Sequence, residues 1–203
     1  MSPSPTPVPS APAPVSWVRQ LEGSTALDPL VRALRPLADA LVADPARRDL
    51  LRGAWLGHAV HPVLTDVPIG LWTSATVLDA VGGSTARPAA QRLVGLGVLA
   101  AGPTAVTGWA EWSGSRQRDQ RVGLVHAVAN AAAIGLFASS WRARSRGRHA
   151  RGVALSLAAS SSLGLGGFLG GHLVSARKVS SRHPEFREPG SAQPGATDAL
   201  HSV

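Results

Sequence analysis

From residue 57 onward the chain alternates long apolar runs with short polar breaks. The first run, residues 62–81, is interrupted by Asp66 and Asp79. The second, residues 93–110, carries no charge. Neither do the third, residues 122–141, and the fourth, residues 152–176. Crossing ~30 Å of hydrocarbon takes about 20 residues of helix, and the last three runs meet that on their own. A soluble bundle would need polar stripes at helical spacing, which those three runs lack. The breaks at 82–92, 111–121 and 142–151 are short, and short connections join antiparallel neighbours. The pattern predicts an all-α integral membrane protein, a four-span up-down bundle over residues 57–176.

Upstream, the spacing changes character. Leu27, Leu30, Val31, Leu34, Leu37, Ala38, Leu41 and Val42 recur on one helical face, with Arg32, Arg35 and Asp39 on the other. This predicts an amphipathic helix over 28–43, capped by Asp28, opened by Pro29 and bent at Pro36. A second short helix, 45–52, should start at Asp44-Pro45 and stop at Gly53. Residues 26–56 are thus juxtamembrane helices lying on the bilayer or on the bundle. Residues 1–25 begin with a Pro/Ser tract that has neither the basic nor the apolar stretch of a signal peptide, and are expected to be a disordered tail. A polar segment with Pro184, Pro189 and Pro194 makes 177–203 a second expected tail.

Composition narrows the chemistry. Cysteine is absent, which excludes disulfides, thiolate metal sites, covalently attached haem, a cysteine nucleophile and an iron–sulfur cluster within this chain. The formal charge is +8, nearly all from arginine, and tyrosine is missing. Nucleic-acid binding wants a basic stripe with stacking aromatics on a soluble module; here the arginines punctuate apolar runs, so no nucleic-acid partner is expected. With four spans, Arg47, Arg48, Arg52, Arg116, Arg118, Arg121, Arg177, Lys178, Arg182 and Arg187 flank the side of the termini. Arg87, Arg92, Arg142, Arg144, Arg146, Arg148 and Arg151 flank the other. The count leans towards cytoplasmic termini, opposed by the dense third loop.

The histidines acquire meaning only through this topology. His58 and His61 open the first span, and the second ends on the same side with TGWAEW, which carries Glu111. His126 lies five residues after Arg121 and His172 five before Arg177, each about 7 Å inside its arginine at 1.5 Å per residue. Alternating direction therefore gathers His61, His126 and His172 at one depth, with His58, Asp66 and Glu111 nearby. Asn130 shares the His126 face one turn on. Pro68 cannot donate and frees a carbonyl near Leu64. Gly166/Gly170 and Gly167/Gly171 form close-approach faces for a helix or a flat cofactor. His149, His183 and His201 fall outside the layer.

Two histidines on facing helices suit the axial positions of haem b, which needs no cysteine. Three histidines with Asp66 or Glu111 suit Zn, Cu or non-haem Fe. The residues do not choose between them, nor exclude a cofactor-free scaffold in which they form a structural polar layer, or a metal-ion-handling protein. A proton pathway lacks polar groups beyond Asp79 on the far side. Ser160–Ser162 lack the setting of a hydrolase nucleophile, so no catalytic residue is assigned.

The blocks GHAVHPVLTDVPIGLW (57–72), TGWAEW (107–112), VGLVHAVAN (122–130) and GGHLV (170–174) resemble, in order, a family of uncharacterised bacterial four-span membrane domains often joined to a Rieske [2Fe–2S] domain. The matching positions are His58, His61, Pro62, Asp66, Pro68, Gly70, His126, Gly171 and His172. The family's entrance more often reads GHPLHP, where this chain has Ala59-Val60. The resemblance implies a multi-pass protein of the bacterial inner membrane associated with redox proteins. Since this chain has no Rieske portion, an iron–sulfur partner would be a separate protein.

Overall fold

The computed structural model describes residues 11–186. All regular structure among them is helical: α1 (Ala13–Gly23), α2 (Asp28–Leu41), α3 (Pro45–Arg52), α4 (Val60–Val81), α5 (Arg87–Ser113), α6 (Gln117–Ser145) and α7 (His149–Gly171). A π-helical turn, His172–Ala176, extends α7. The expected tails at 1–10 and 187–203 lie outside the described residues.

Local signals explain the helix ends. The Asp44 side chain accepts from Arg47 N at 2.8 Å, capping α3. Gly53 then stops that helix at φ 75°, a conformation costly for any residue with a Cβ. The turns between α4 and α5, α5 and α6, and α6 and α7 are shorter than the hydropathy breaks, because the helices run past the ends of their apolar runs. Helix formation needs only backbone hydrogen bonds, whereas hydropathy falls as soon as side chains reach the interface.

Helices α5, α6 and α7 are long and apolar enough to cross a membrane; α4, at 22 residues, is not among the helices that meet that standard. Its two aspartates and His61 lower its hydropathy. Even so, α4 packs against α5 and α6. Trp72 on α4 stacks on Phe137 of α6, with ring centroids 4.0 Å apart and planes at 10°, and donates from Nε1 to Val94 O on α5 at 3.3 Å. Around that stack sit Ala75, Ala90, Val94, Ala101 and Ala159, the core of the helical layer. The outward faces of the same helices carry exposed Val67, Val77, Leu99, Val128, Leu157 and Phe168. An apolar outer face is what lipid contact requires and water penalises.

The segment expected as an N-terminal tail is helical from Ala13 onward. Pro14 suits a first helical turn, and Val18 is 1% exposed against Val122 and Leu169. Trp17 stacks on Phe168 at 6.0 Å. The proline tract masked this because its few apolar residues matter only once α6 and α7 offer a surface. Helix α2 packs Val31 and Ala38 on Trp112 and Leu124. The segment after α7 is likewise pinned rather than loose: Ala59 N donates to Ser181 O at 2.9 Å and His183 N to Gly57 O at 2.8 Å.

Candidate functional site

Helix α4 begins at Val60, and the next residue, His61, points towards α5. Its Nδ1 lies 2.9 Å from Thr104 O and 3.3 Å from Thr107 Oγ1. A carbonyl can only accept, so Nδ1 carries the proton and Nε2 presents its lone pair. Pro68 leaves Leu64 O without its helical donor, and Thr104 Oγ1 reaches it at 3.2 Å while sharing its hydrogen with Ala100 O at 2.9 Å. Thr104 thus binds α4 twice, through its hydroxyl to Leu64 and through its carbonyl to His61. A Cβ on Gly108 would fall 2.8 Å from His61 Cε1. Only glycine lets α5 approach the imidazole this closely.

His126 on α6 has the same construction. Its Nδ1 donates to Gly166 O on α7 at 2.8 Å, and Asn130 Nδ2 lies 3.0 Å from its Nε2. A Cβ on Gly170 would meet His126 Cε1 at 2.9 Å, and one on Gly166 would meet Asn130 Oδ1 at 2.5 Å. Gly167 and Gly171, the other pair at that spacing, face open space. The rings of His61 and His126 meet edge to face, centroids 6.5 Å apart and planes at 84°.

The layer of three histidines does not assemble. His172 turns away to α1, where its Nε2 lies 3.0 Å from Glu22 Oε1. Glu22 also takes Arg177 Nε at 3.4 Å, and Arg177 donates to the buried Asp119 at 2.7 Å. The sequence placed His172 at the right end of its helix, but its partner sits in the segment read as a tail. His58 stays in the loop, its Nδ1 3.2 Å from Ala59 O, and its backbone forms an antiparallel bridge with Arg182. Asp66 lies on the exposed face of α4. Glu111 is held elsewhere: its Oε2 accepts from Ser181 N and Ser181 Oγ, both at 3.0 Å. Arg52 approaches the same end of α5, donating to Ala110 O at 3.1 Å and Ser113 Oγ at 3.0 Å. Among the described residues no group of three His, Asp or Glu side chains converges as a metal site would.

One polar centre escaped the sequence reading. Arg144, expected in a loop, lies in the last turns of α6 and donates to both carboxylate oxygens of Asp79 at 2.8 and 2.6 Å. Their side chains are 1% and 6% exposed. Ser140 Oγ accepts from Arg144 Nε at 3.1 Å. The only available signal was that Asp79 is the sole acid between residues 67 and 110 and needed a partner.

No curated protein and no solved structure matches the chain. The family model described as Predicted membrane protein (DUF2231) matches residues 57–183, from the α4 entrance to the strand-like return of the C-terminal segment. That range is more than half of the chain and includes the His61–His126 pair, and the chain belongs to this family.

Proposed function

We propose that the protein is a multi-pass redox module of the bacterial inner membrane, holding the iron of haem b between His61 and His126. The single observation that supports this is the pair itself. Two imidazoles from different helices meet at 6.5 Å, each with Nδ1–H fixed on a backbone carbonyl. That orientation would make Nε2 the ligating atom, the arrangement metal-bound histidines usually have, although on His126 a metal would have to displace Asn130 Nδ2. Two N–metal bonds of about 2.0–2.1 Å, plus the offset of each nitrogen from its ring centre, put centroids about 6 Å apart. The donor set, two neutral imidazoles from different helices, is of the kind that would hold a haem iron. It does not fit a three-histidine or histidine–carboxylate metal site, because His172, Asp66 and Glu111 are engaged or placed elsewhere. When bound, the haem would supply one-electron transfer. Thr104 and Gly166 would hold the two ring tautomers. A separate Rieske-type protein as electron partner rests on the family resemblance alone.

The same reading takes α4 as a fourth span. At 1.5 Å per residue its 22 residues reach about 33 Å, and it is tied to its neighbours at both ends, by His61 to Thr104 and by Asp79 to Arg144. A second reading, a cofactor-free scaffold, is favoured by one specific contact: Asn130 Nδ2 already lies 3.0 Å from His126 Nε2 and satisfies its lone pair.

Haem and metal content of the protein, purified in detergent from haem-sufficient cells, separates the readings. The redox reading expects stoichiometric haem in the wild type and in His172→Ala, and its loss in His61→Ala and His126→Ala. Haem-free wild-type protein would leave the scaffold.

A further inference from the structure

Among the described residues, the end of the bundle opposite His61 and His126 carries an excess of positive charge. Residues 80–110 and 120–184 contain no acid, so Asp79 is the one carboxylate near this end among the described residues. It is consumed by Arg144, which holds both its oxygens in a buried pair. Three further arginines, Arg87 from the start of α5, Arg148 from the α6–α7 turn and Arg151 from the first turn of α7, are exposed. They line, with Gly147, His149 and Ala150, a shallow, open hollow of ≈ 480 Å³.

We infer that this hollow binds the phosphate headgroup of an anionic phospholipid. Guanidinium groups suit a phosphate because their planar forks can donate two parallel hydrogen bonds. An arginine cluster concentrates positive potential, and the nearest described carboxylate, Asp79, 3.5 Å from His149 Nε2, is buried and already held by Arg144. The depth fits a headgroup rather than a dissolved ion. Arg87 precedes the first apolar residue of its run, Leu93, by six positions, about 9 Å along the helix, and Arg151 stands two positions before Val153. The arginines therefore ring the mouth at the level where acyl chains give way to phosphates, as basic pockets between spans do. This inference rests on the membrane placement of α5, α6 and α7 and is independent of what the histidines hold.

The test uses full-length, delipidated protein in neutral detergent, titrated with phosphatidylglycerol, phosphatidylcholine or inorganic phosphate and read by native mass spectrometry and thermal shift. The expected result is one retained phosphatidylglycerol, with phosphatidylcholine at least tenfold weaker and inorganic phosphate giving no stabilisation at the same concentration. In the triple variant R87Q/R148Q/R151Q phosphatidylglycerol should bind at least tenfold more weakly, while the lysine triple R87K/R148K/R151K keeps an intermediate affinity. Arg142→Gln with Arg146→Gln, basic residues of the same end that do not line the hollow, should change affinity less than twofold. Equal binding of the two lipids, an equal loss in the Arg142/Arg146 variant, or equal protection by inorganic phosphate would each overturn the headgroup site.

Discussion

Removing the carboxylate of Asp79 leaves Arg144 charged in a site where its side chain is 1% exposed. The guanidinium would keep Ser140 Oγ at 3.1 Å and a long contact to Ser156 Oγ at 3.4 Å, but lose both charged acceptors. Breaking a buried pair from one side costs about 3–5 kcal/mol; the two serines and the edge position of the site argue for the lower figure. For a domain of this size 1 kcal/mol moves Tm by about 2–4 °C, so Asp79→Ala should melt about 6–12 °C below wild type. Removing both charges, as in D79L/R144M, deletes the desolvation cost along with the attraction. That double variant should recover most of the loss, since apolar replacements of buried pairs are often neutral or stabilising. The assay is thermal unfolding in one detergent, followed by circular dichroism and by the fraction remaining monodisperse after heating. Coupling between the two positions is then read from the cycle. A D79A protein that melts with the wild type, or a double variant as unstable as the sum of the singles, would refute the reasoning.

Gly97 and Gly102 offer a matched pair. A Cβ on Gly97 would fall 2.7 Å from Trp72 Cδ1, whereas Gly102 has nothing within 4 Å. Gly97→Ala should lower Tm by the equivalent of about 1–3 kcal/mol of overpacking, and Gly102→Ala should leave it unchanged or raise it. The Arg121 guanidinium donates to both oxygens of Asp28 and holds that carboxyl below its ordinary range. A depressed folded value means the contribution is full above the ordinary aspartate range and is lost as pH falls through the folded value. Melting curves of Asp28→Asn should therefore sit below wild type at neutral pH and converge with it in acid; a gap that widens in acid would contradict the sign. Because the chain has no cysteine, single reporters test α4 directly. Cysteines at Ala54 and Ser84 should label from opposite faces of a sealed vesicle if α4 crosses, and from one face if it does not.

Much of the fold was legible because its signals are local. Asp44-Pro45 and Gly53 delimit α3 by capping and backbone freedom, and hydropathy marks the interiors of α5, α6 and α7. The approach of His61 to His126 was legible only by combining span order with depth. Pro68 even located the orphaned Leu64 carbonyl, though not the Thr104 hydroxyl that reaches it from α5. What stayed hidden depends on partners far away in sequence. His172 is drawn off by Glu22, a contact spanning 150 positions, and Val18 becomes a core residue only because Val122 and Leu169 are brought beneath it. Arg144 looked like a loop cation because hydropathy ends at Trp141 while the helix continues. Its burial follows from Asp79, not from its own neighbours in sequence.

Whether His61 and His126 act as a ligand pair without His172 decides the proposed function. The most direct test is a reduced-minus-oxidised absorption spectrum of membranes and of purified protein, taken for wild type and for His61→Ala, His126→Ala and His172→Ala at matched expression. A haem b signal is expected in wild type and His172→Ala, and its loss in both other variants. A wild-type protein without that signal, or a signal that survives loss of His126, would contradict the redox reading.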